Sequence, residues 1–136
     1  MIASPRLRVG VDLVRVSRVE ESIATFGERF VSRVFTEGEI AYADGAPGAA
    51  ERAERLAARF AAKEATIKAL SLTDVGTDWR AIEVVKDRFG APSLVLHGAA
   101  AAAARAESIH ELSLSLSHEG DQAIAVVVAQ SREPRE

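Results

Sequence analysis

Apolar and polar residues alternate at the start of the chain: Leu7, Val9, Val11 and Leu13 fall on one face and Arg8, Gly10 and Asp12 on the other, the period-two pattern of a strand. Asp12 interrupts a run that otherwise reads as buried, and an ionised carboxylate among valines and leucines has to be compensated. From Ser17, with Glu20 three residues later as a capping pair, the spacing turns helical, aligns Val19, Ile23 and Phe26, and stops at Gly27. Thr36 and Glu39 repeat the capping pattern before a second short helix, and "DGAPGAA" then breaks the chain as a surface loop. Residues 51–70 are rich in Ala, Glu, Arg and Leu and predict one long helix. Its apolar stripe of Leu56, Phe60, Ile67 and Leu70 contains Lys63, while Glu64 lies near the stripe's edge and Lys68 beyond it, beside the small residues Ala57 and Ala61.

The second half is richer in strands. "RAIEVVKDRFGAPSLVLHG" predicts two strands joined by a turn at Gly90 to Pro92, followed by an alanine-rich helix over residues 98–106. Leu112, Leu114 and Leu116 alternate with Ser113, Ser115 and Ser117, "HEGD" turns the chain, and Ile124 to Ala129 return as a nearly continuous apolar strand. A chain of 136 residues with 48% hydrophobic content suits one core, so residues 1–130 are assigned to a single domain and 131–136 to a polar C-terminal tail.

Charge narrows the function classes. Seventeen Lys and Arg stand against twenty Asp and Glu, a net charge of −3, so no overall basic field draws the chain to nucleic acid or to an anionic membrane. There is no cysteine, which rules out disulfides and thiolate chemistry. No apolar run approaches about 20 residues and the first ten residues lack the apolar centre of a signal peptide, so a cytoplasmic location is expected.

The flank of the long helix around Ala57 and Ala61 is stripped of bulk, which leaves room for an anion beside Glu64 and the lysines. On spacing alone, however, the stronger reading makes Glu64 and Lys68 an ordinary i,i+4 pair, with Lys63 extending outward. Joint occurrence changes that balance. Asp12 on a strand and Glu64 on a helix offer two hard oxygen ligands, a set suited to Mg²⁺, and Arg59, Lys63 and Lys68 would help neutralise a diphosphate. The combination favours phosphoryl-type transfer.

Three blocks, "GVDLVRVSRV" from Gly10, "RFAAKEATIKAL" from Arg59 and "LSLSHEGDQAIAVVVA" from Leu114, make the sequence resemble the short, single-domain holo-acyl-carrier-protein synthases among the 4′-phosphopantetheinyl transferases. The resemblance implies an α+β fold in which an antiparallel sheet packs with one long and several short helices and the chains assemble as trimers. It implies transfer of the phosphopantetheine arm from coenzyme A to a serine of an apo acyl carrier protein, with release of adenosine 3′,5′-bisphosphate. By the same resemblance, Asp12 and Glu64 hold Mg²⁺, Glu64 activates the serine and Lys68 stabilises the transferring phosphate. Arg59 and Lys63 then hold coenzyme A phosphates, His118 lies near the coenzyme's phosphate end, and Gly90 and Pro92 approach the adenine.

Arg18 corresponds to a docking arginine for the acidic carrier, with Arg29 and Arg33 extending the patch and Glu20, Glu21 and Glu28 diluting it. Arg15 reads as a solvated surface residue facing away from Arg18, whereas Arg52 and Arg55 are candidates to replace a basic loop found in some relatives. Ser71 stands where a glycine is common and the next glycine is Gly76, so a longer turn is expected there. The competing readings are a non-catalytic module that binds coenzyme A or the carrier, and a structural α+β domain in which Asp12 is merely a paired acid. For His118 and for the Gly90 to Pro92 turn, a core histidine and plain turn chemistry remain the alternatives.

Overall fold

The computed structural model describes residues 5–72 and 78–132. Its elements run β1 (Pro5–Arg15), α1 (Val16–Phe26), α2 (Glu28–Val34), α3 (Glu37–Asp44), α4 (Ala49–Leu70), a 3₁₀ turn (Trp79–Ala81), β2 (Ile82–Lys86), β3 (Pro92–Leu96), α5 (Gly98–Ala106), β4 (Ile109–Glu119) and β5 (Gln122–Arg132). The fold is α+β, as expected. An antiparallel sheet of order β1-β5-β4 packs one face on α4, and β2 with β3 forms a separate hairpin. The last strand reaches Arg132 with Ser131 buried, two residues beyond the boundary drawn from sequence. Among the described residues no helix is long and apolar enough to cross a membrane.

The sheet inverts the expectation for the first strand. Leu7, Val9, Val11 and Leu13 point away from α4 and are 50 to 73% exposed, while Arg8, Gly10, Asp12 and Val14 face the helix side. The reason lies in β5, whose helix-facing residues Ala123, Ala125, Val127 and Ala129 are fully buried and mostly small. Small side chains let α4 come close, and the bulky β-branched residues are left on the other face. Across that face the register aligns Val9 with Val128 and Ser113, Val11 with Val126 and Ser115, and Leu13 with Ile124 and Ser117.

The same close approach overturns the expected anion space along Ala57 and Ala61. Both residues, and Ala65 after them, have no exposed surface, because the sheet fills that flank. At the tightest point a Cβ added to Gly10 would lie 2.0 Å from the Ala65 carbonyl oxygen, so only glycine fits there.

The helix ends are set partly by sequence and partly by tertiary contact. Thr36 and Glu39 form the predicted capping box at α3. At α1 the Ser17 and Glu20 pair does not cap; Arg15 is the N-cap, and Asp121 from the β4–β5 turn accepts from the Ser17 backbone N–H at 2.8 Å and from its hydroxyl at 2.6 Å. Helix α4 ends on Ser71 at φ +57°, the left-handed conformation that glycine adopts without strain. The chain therefore turns at Ser71 itself, while Gly76 lies outside the described residues. Ser71→Gly is expected to stabilise the protein by about 0.5–1 kcal/mol, a rise of a few degrees in thermal midpoint at fixed protein concentration.

Candidate active site

Because β1 presents its even-numbered residues to α4, Asp12 stands over the helix turn that carries Glu64 and Lys68. Lys68 Nζ donates to Asp12 Oδ1 at 2.9 Å and to the Val11 carbonyl at 3.1 Å, which answers the question of what compensates the aspartate within one chain. Burial, and next the charge of Asp12, push the Glu64 carboxyl above the usual carboxylate range, with Lys68 pulling the other way. The hydrogen bond to Asp12 raises the proton affinity of Lys68.

Asp12 and Glu64 line one cavity of about 640 Å³, with Phe60 and Phe30 as apolar wall and Arg15 and Arg18 at the start of α1. Arg15 thus shares a cavity with Arg18 rather than facing away from it: a residue in the last strand position and one in the first helical turn converge where the backbone bends. Asp121, which fixes that bend, had no local sequence signal, since it acts across 104 residues. Arg29 and Arg33 are exposed on α2 and do not line the cavity. Glu28 is engaged by Arg52 at 2.8 Å, so its charge weighs less on the arginine patch than sequence implied.

A second cavity, of about 560 Å³, gathers Arg59, Gly90, Pro92 and His118, four of the five residues matched to coenzyme binding, and adds Tyr42, Arg55 and Lys86. His118 is exposed and follows Leu116 on the same face of β4, which excludes the core-histidine reading. At the β2–β3 turn Asp87 Oδ1 accepts from the backbone N–H groups of Phe89 at 2.8 Å and Ala91 at 3.0 Å, while Gly90 takes φ +84°. Turn chemistry and cavity lining therefore coincide at Gly90. Of the two arginines proposed to replace a basic loop, Arg55 reaches the cavity, whereas Arg52 is held by Glu28 and Asp44. Tyr42 and Lys86 were not singled out in the sequence, because nothing in the spacing of a lone tyrosine or a strand-end lysine marks them.

Lys63 is the clear correction. Its side chain has no exposed surface, pairs with the equally buried Glu39 at 2.7 Å, and also donates to the carbonyls of Trp79 and Ile82. All three ammonium protons are used, so none is left for a phosphate. Glu39 in turn accepts from the backbone N–H of Thr36 at 2.9 Å and of Val84 at 2.8 Å. The lysine lies in the apolar stripe because it ties α4 to α3 and β2, and it does not extend to water.

Among the described residues the two cavities share no lining residue. Within one chain, the acid pair and the group of Arg59, Gly90, Pro92 and His118 line different cavities.

Known proteins share this chain's sequence and fold. The family model of the 4′-phosphopantetheinyl transferase superfamily matches residues 8–127. A holo-[acyl-carrier-protein] synthase of Herpetosiphon aurantiacus is 45% identical, covering 90% of this chain and 97% of that protein. One from Paramagnetospirillum magneticum is 48% identical, with 91% and 95% covered. Among solved structures, the ACPS–CoA complex from Chronobacterium ammoniagenes superimposes with a TM-score of 0.80 at 37% identity, covering 94% of this chain and 99% of that one. By its sequence and its fold, the chain belongs to the 4′-phosphopantetheinyl transferase superfamily, in the group of the holo-[acyl-carrier-protein] synthases.

Proposed function

We propose that this enzyme moves the 4′-phosphopantetheine arm of coenzyme A onto a serine hydroxyl of an apo acyl carrier protein, in a Mg²⁺-dependent reaction that leaves adenosine 3′,5′-bisphosphate. The observation that carries the reading is the convergence of Asp12 and Glu64, from a strand and a helix, on one cavity beside Lys68. Two carboxylates close enough for one to raise the proton affinity of the other fit a hard divalent ion. Among the described residues no group of three or more His, Cys, Asp or Glu forms a metal site, so Asp12 and Glu64 would hold Mg²⁺ together with donor phosphate oxygens and water. Bound there, the ion supplies positive charge against the diphosphate.

The chain's own groups account for the rest. Lys68 is half exposed and held by Asp12 and a carbonyl; with Asp12 engaged as a ligand, its ammonium would be free to stabilise charge on the transferring phosphate. Glu64 takes the serine proton, relayed through a water, as the serine oxygen attacks the phosphorus bearing the pantetheine arm. The phosphorus–oxygen bond to the nucleotide breaks, and its electron pair leaves with the 5′-phosphate. Arg15 and Arg18 at the mouth of the same cavity, with Arg29 and Arg33 on α2, form the basic edge on which an acidic carrier docks.

Assembly as a homotrimer completes the site in this reading. The donor runs from the acid pair of one subunit to the Arg59, Gly90, Pro92 and His118 cavity of its neighbour, which accounts for two cavities that share no residue. The apolar outer face of the sheet supports burial against another copy.

The test is incubation with coenzyme A, Mg²⁺ and candidate apo carrier proteins, read by intact mass. The carrier is expected to gain the arm, chelation of the metal to stop the gain, and Glu64→Gln to lower turnover about 100-fold at unchanged thermal midpoint. No mass gain on any carrier, or full activity of the Glu64 variant, would sink the reading.

A further inference from the structure

Three cations surround one phenol ring in the second cavity. Helix α3 delivers Tyr42, α4 delivers Arg55 and Arg59 one turn apart, and the end of β2 delivers Lys86. The guanidinium carbons of Arg59 and Arg55 stand 4.1 and 4.4 Å from the ring centroid, and the Lys86 ammonium 4.6 Å. Like charges at such spacing repel, and the negative faces of an aromatic ring are what can hold them together. Arg55 Nη1 also donates to the Tyr42 carbonyl at 2.8 Å, which locks ring and guanidinium as one unit.

We infer that Tyr42 is a positioning residue: its ring is the platform that gathers Arg55, Arg59 and Lys86 into a site for a phosphate-bearing anion. The inference rests on the function proposed above in taking that anion to be the nucleotide end of the donor. An independent observation points to a ligand here. Arg59 is only 4% exposed, yet its Nε is a buried side-chain nitrogen with no hydrogen-bond partner among the described residues. A buried guanidinium short of partners is costly to keep charged, and an anion against its cavity-lining end would offset that cost. Glu51 and Glu54 line the same cavity, so three cations face two carboxylates and only a ligand carrying strong negative charge gains from entering. Gly90, Pro92 and His118 supply the uncharged wall on which a flat base can rest.

The ring and the hydroxyl of Tyr42 make separable predictions. Titration calorimetry of adenosine 3′,5′-bisphosphate into wild-type protein, Tyr42→Phe and Tyr42→Leu reads binding without turnover. Tyr42→Leu is expected to weaken the nucleotide about tenfold and to raise the KM for coenzyme A by a similar factor, while kcat, the carrier KM and the thermal midpoint stay close to wild type. Tyr42→Phe keeps the ring and should stay within about threefold. Nucleotide binding by Tyr42→Leu within twofold of wild type, or an equal loss in Phe and Leu, overturns the inference. So does a Leu variant in which kcat, both KM values and the thermal midpoint fall together, since that marks a general structural role. Wild-type protein that fails to bind the nucleotide at all overturns the proposed function as well, whereas binding that is indifferent to residue 42 removes the platform alone.

Discussion

Lys63→Met is expected to destabilise the protein by about 3–5 kcal/mol, because it leaves the Glu39 carboxylate buried without its cation. Glu39 and Lys63 have no exposed surface, and every polar atom of the pair has a partner drawn from α3, α4, β2 or the 3₁₀ turn. Removing either member alone strands the other. Removing both, as in Glu39→Leu with Lys63→Met, substitutes apolar volume for the ion pair and should recover a large part of the loss. Urea unfolding at one fixed protein concentration measures all three variants. A Lys63→Met protein of normal stability but weakened affinity for coenzyme A would instead restore the role that resemblance assigned to this lysine.

Gly10→Ala is expected to cost on the order of 4 kcal/mol, far more than one methyl group would suggest. The new Cβ would meet backbone at 2.0 Å from the Ala65 oxygen and 2.8 Å from the Ala69 nitrogen, and backbone cannot rotate aside as a side chain can. The strand has to lift off α4. Asp12 is two residues along the same strand face and Glu64 is the neighbour of Ala65, so lifting also parts the two carboxylates. Whatever fraction of the variant still folds should therefore show reduced turnover per folded molecule. Gly120→Ala is the control, because Gly120 has φ +56° and a Cβ added there would meet nothing within 4 Å, so its cost should be limited to backbone strain of about 1 kcal/mol. Thermal unfolding followed by circular dichroism, paired with the carrier-modification assay, separates the two effects.

How much could be read from sequence depended on the range of the interactions. Local signals succeeded where the physics is local: the Thr36 and Glu39 box starts α3, the Gly90 turn joins β2 to β3, and the alanine-rich stretch forms α5 over Gly98–Ala106. The acid pair was legible because Asp12 is anomalous in its strand, even though its first partner in one chain is Lys68. What failed required knowledge of who packs on whom. Periodicity shows that Leu7 to Leu13 share a face but not which face meets the helix, and β5 decides that with its alanines. Lys63 shows the same limit, since a lysine in an apolar stripe is read as reaching for water unless its buried glutamate, 24 positions earlier on another helix, is already known. Asp121 and Tyr42 act through contacts that no local spacing encodes.

The strand order has a consequence for how the molecule is made. In the described sheet β1 pairs with β5, from Pro5 opposite Arg132 to Arg15 opposite Gln122, so the first described element bonds to the last described one. Asp121, which holds the first turn of α1, also belongs to that final segment. A chain emerging from the ribosome therefore carries β1 without its partner until residues 122–132 have followed, with its valines and leucines open to other nascent copies. Folding waits on a closure of large sequence separation, a slow class of event, and the interval before it is when this protein is most exposed to aggregation.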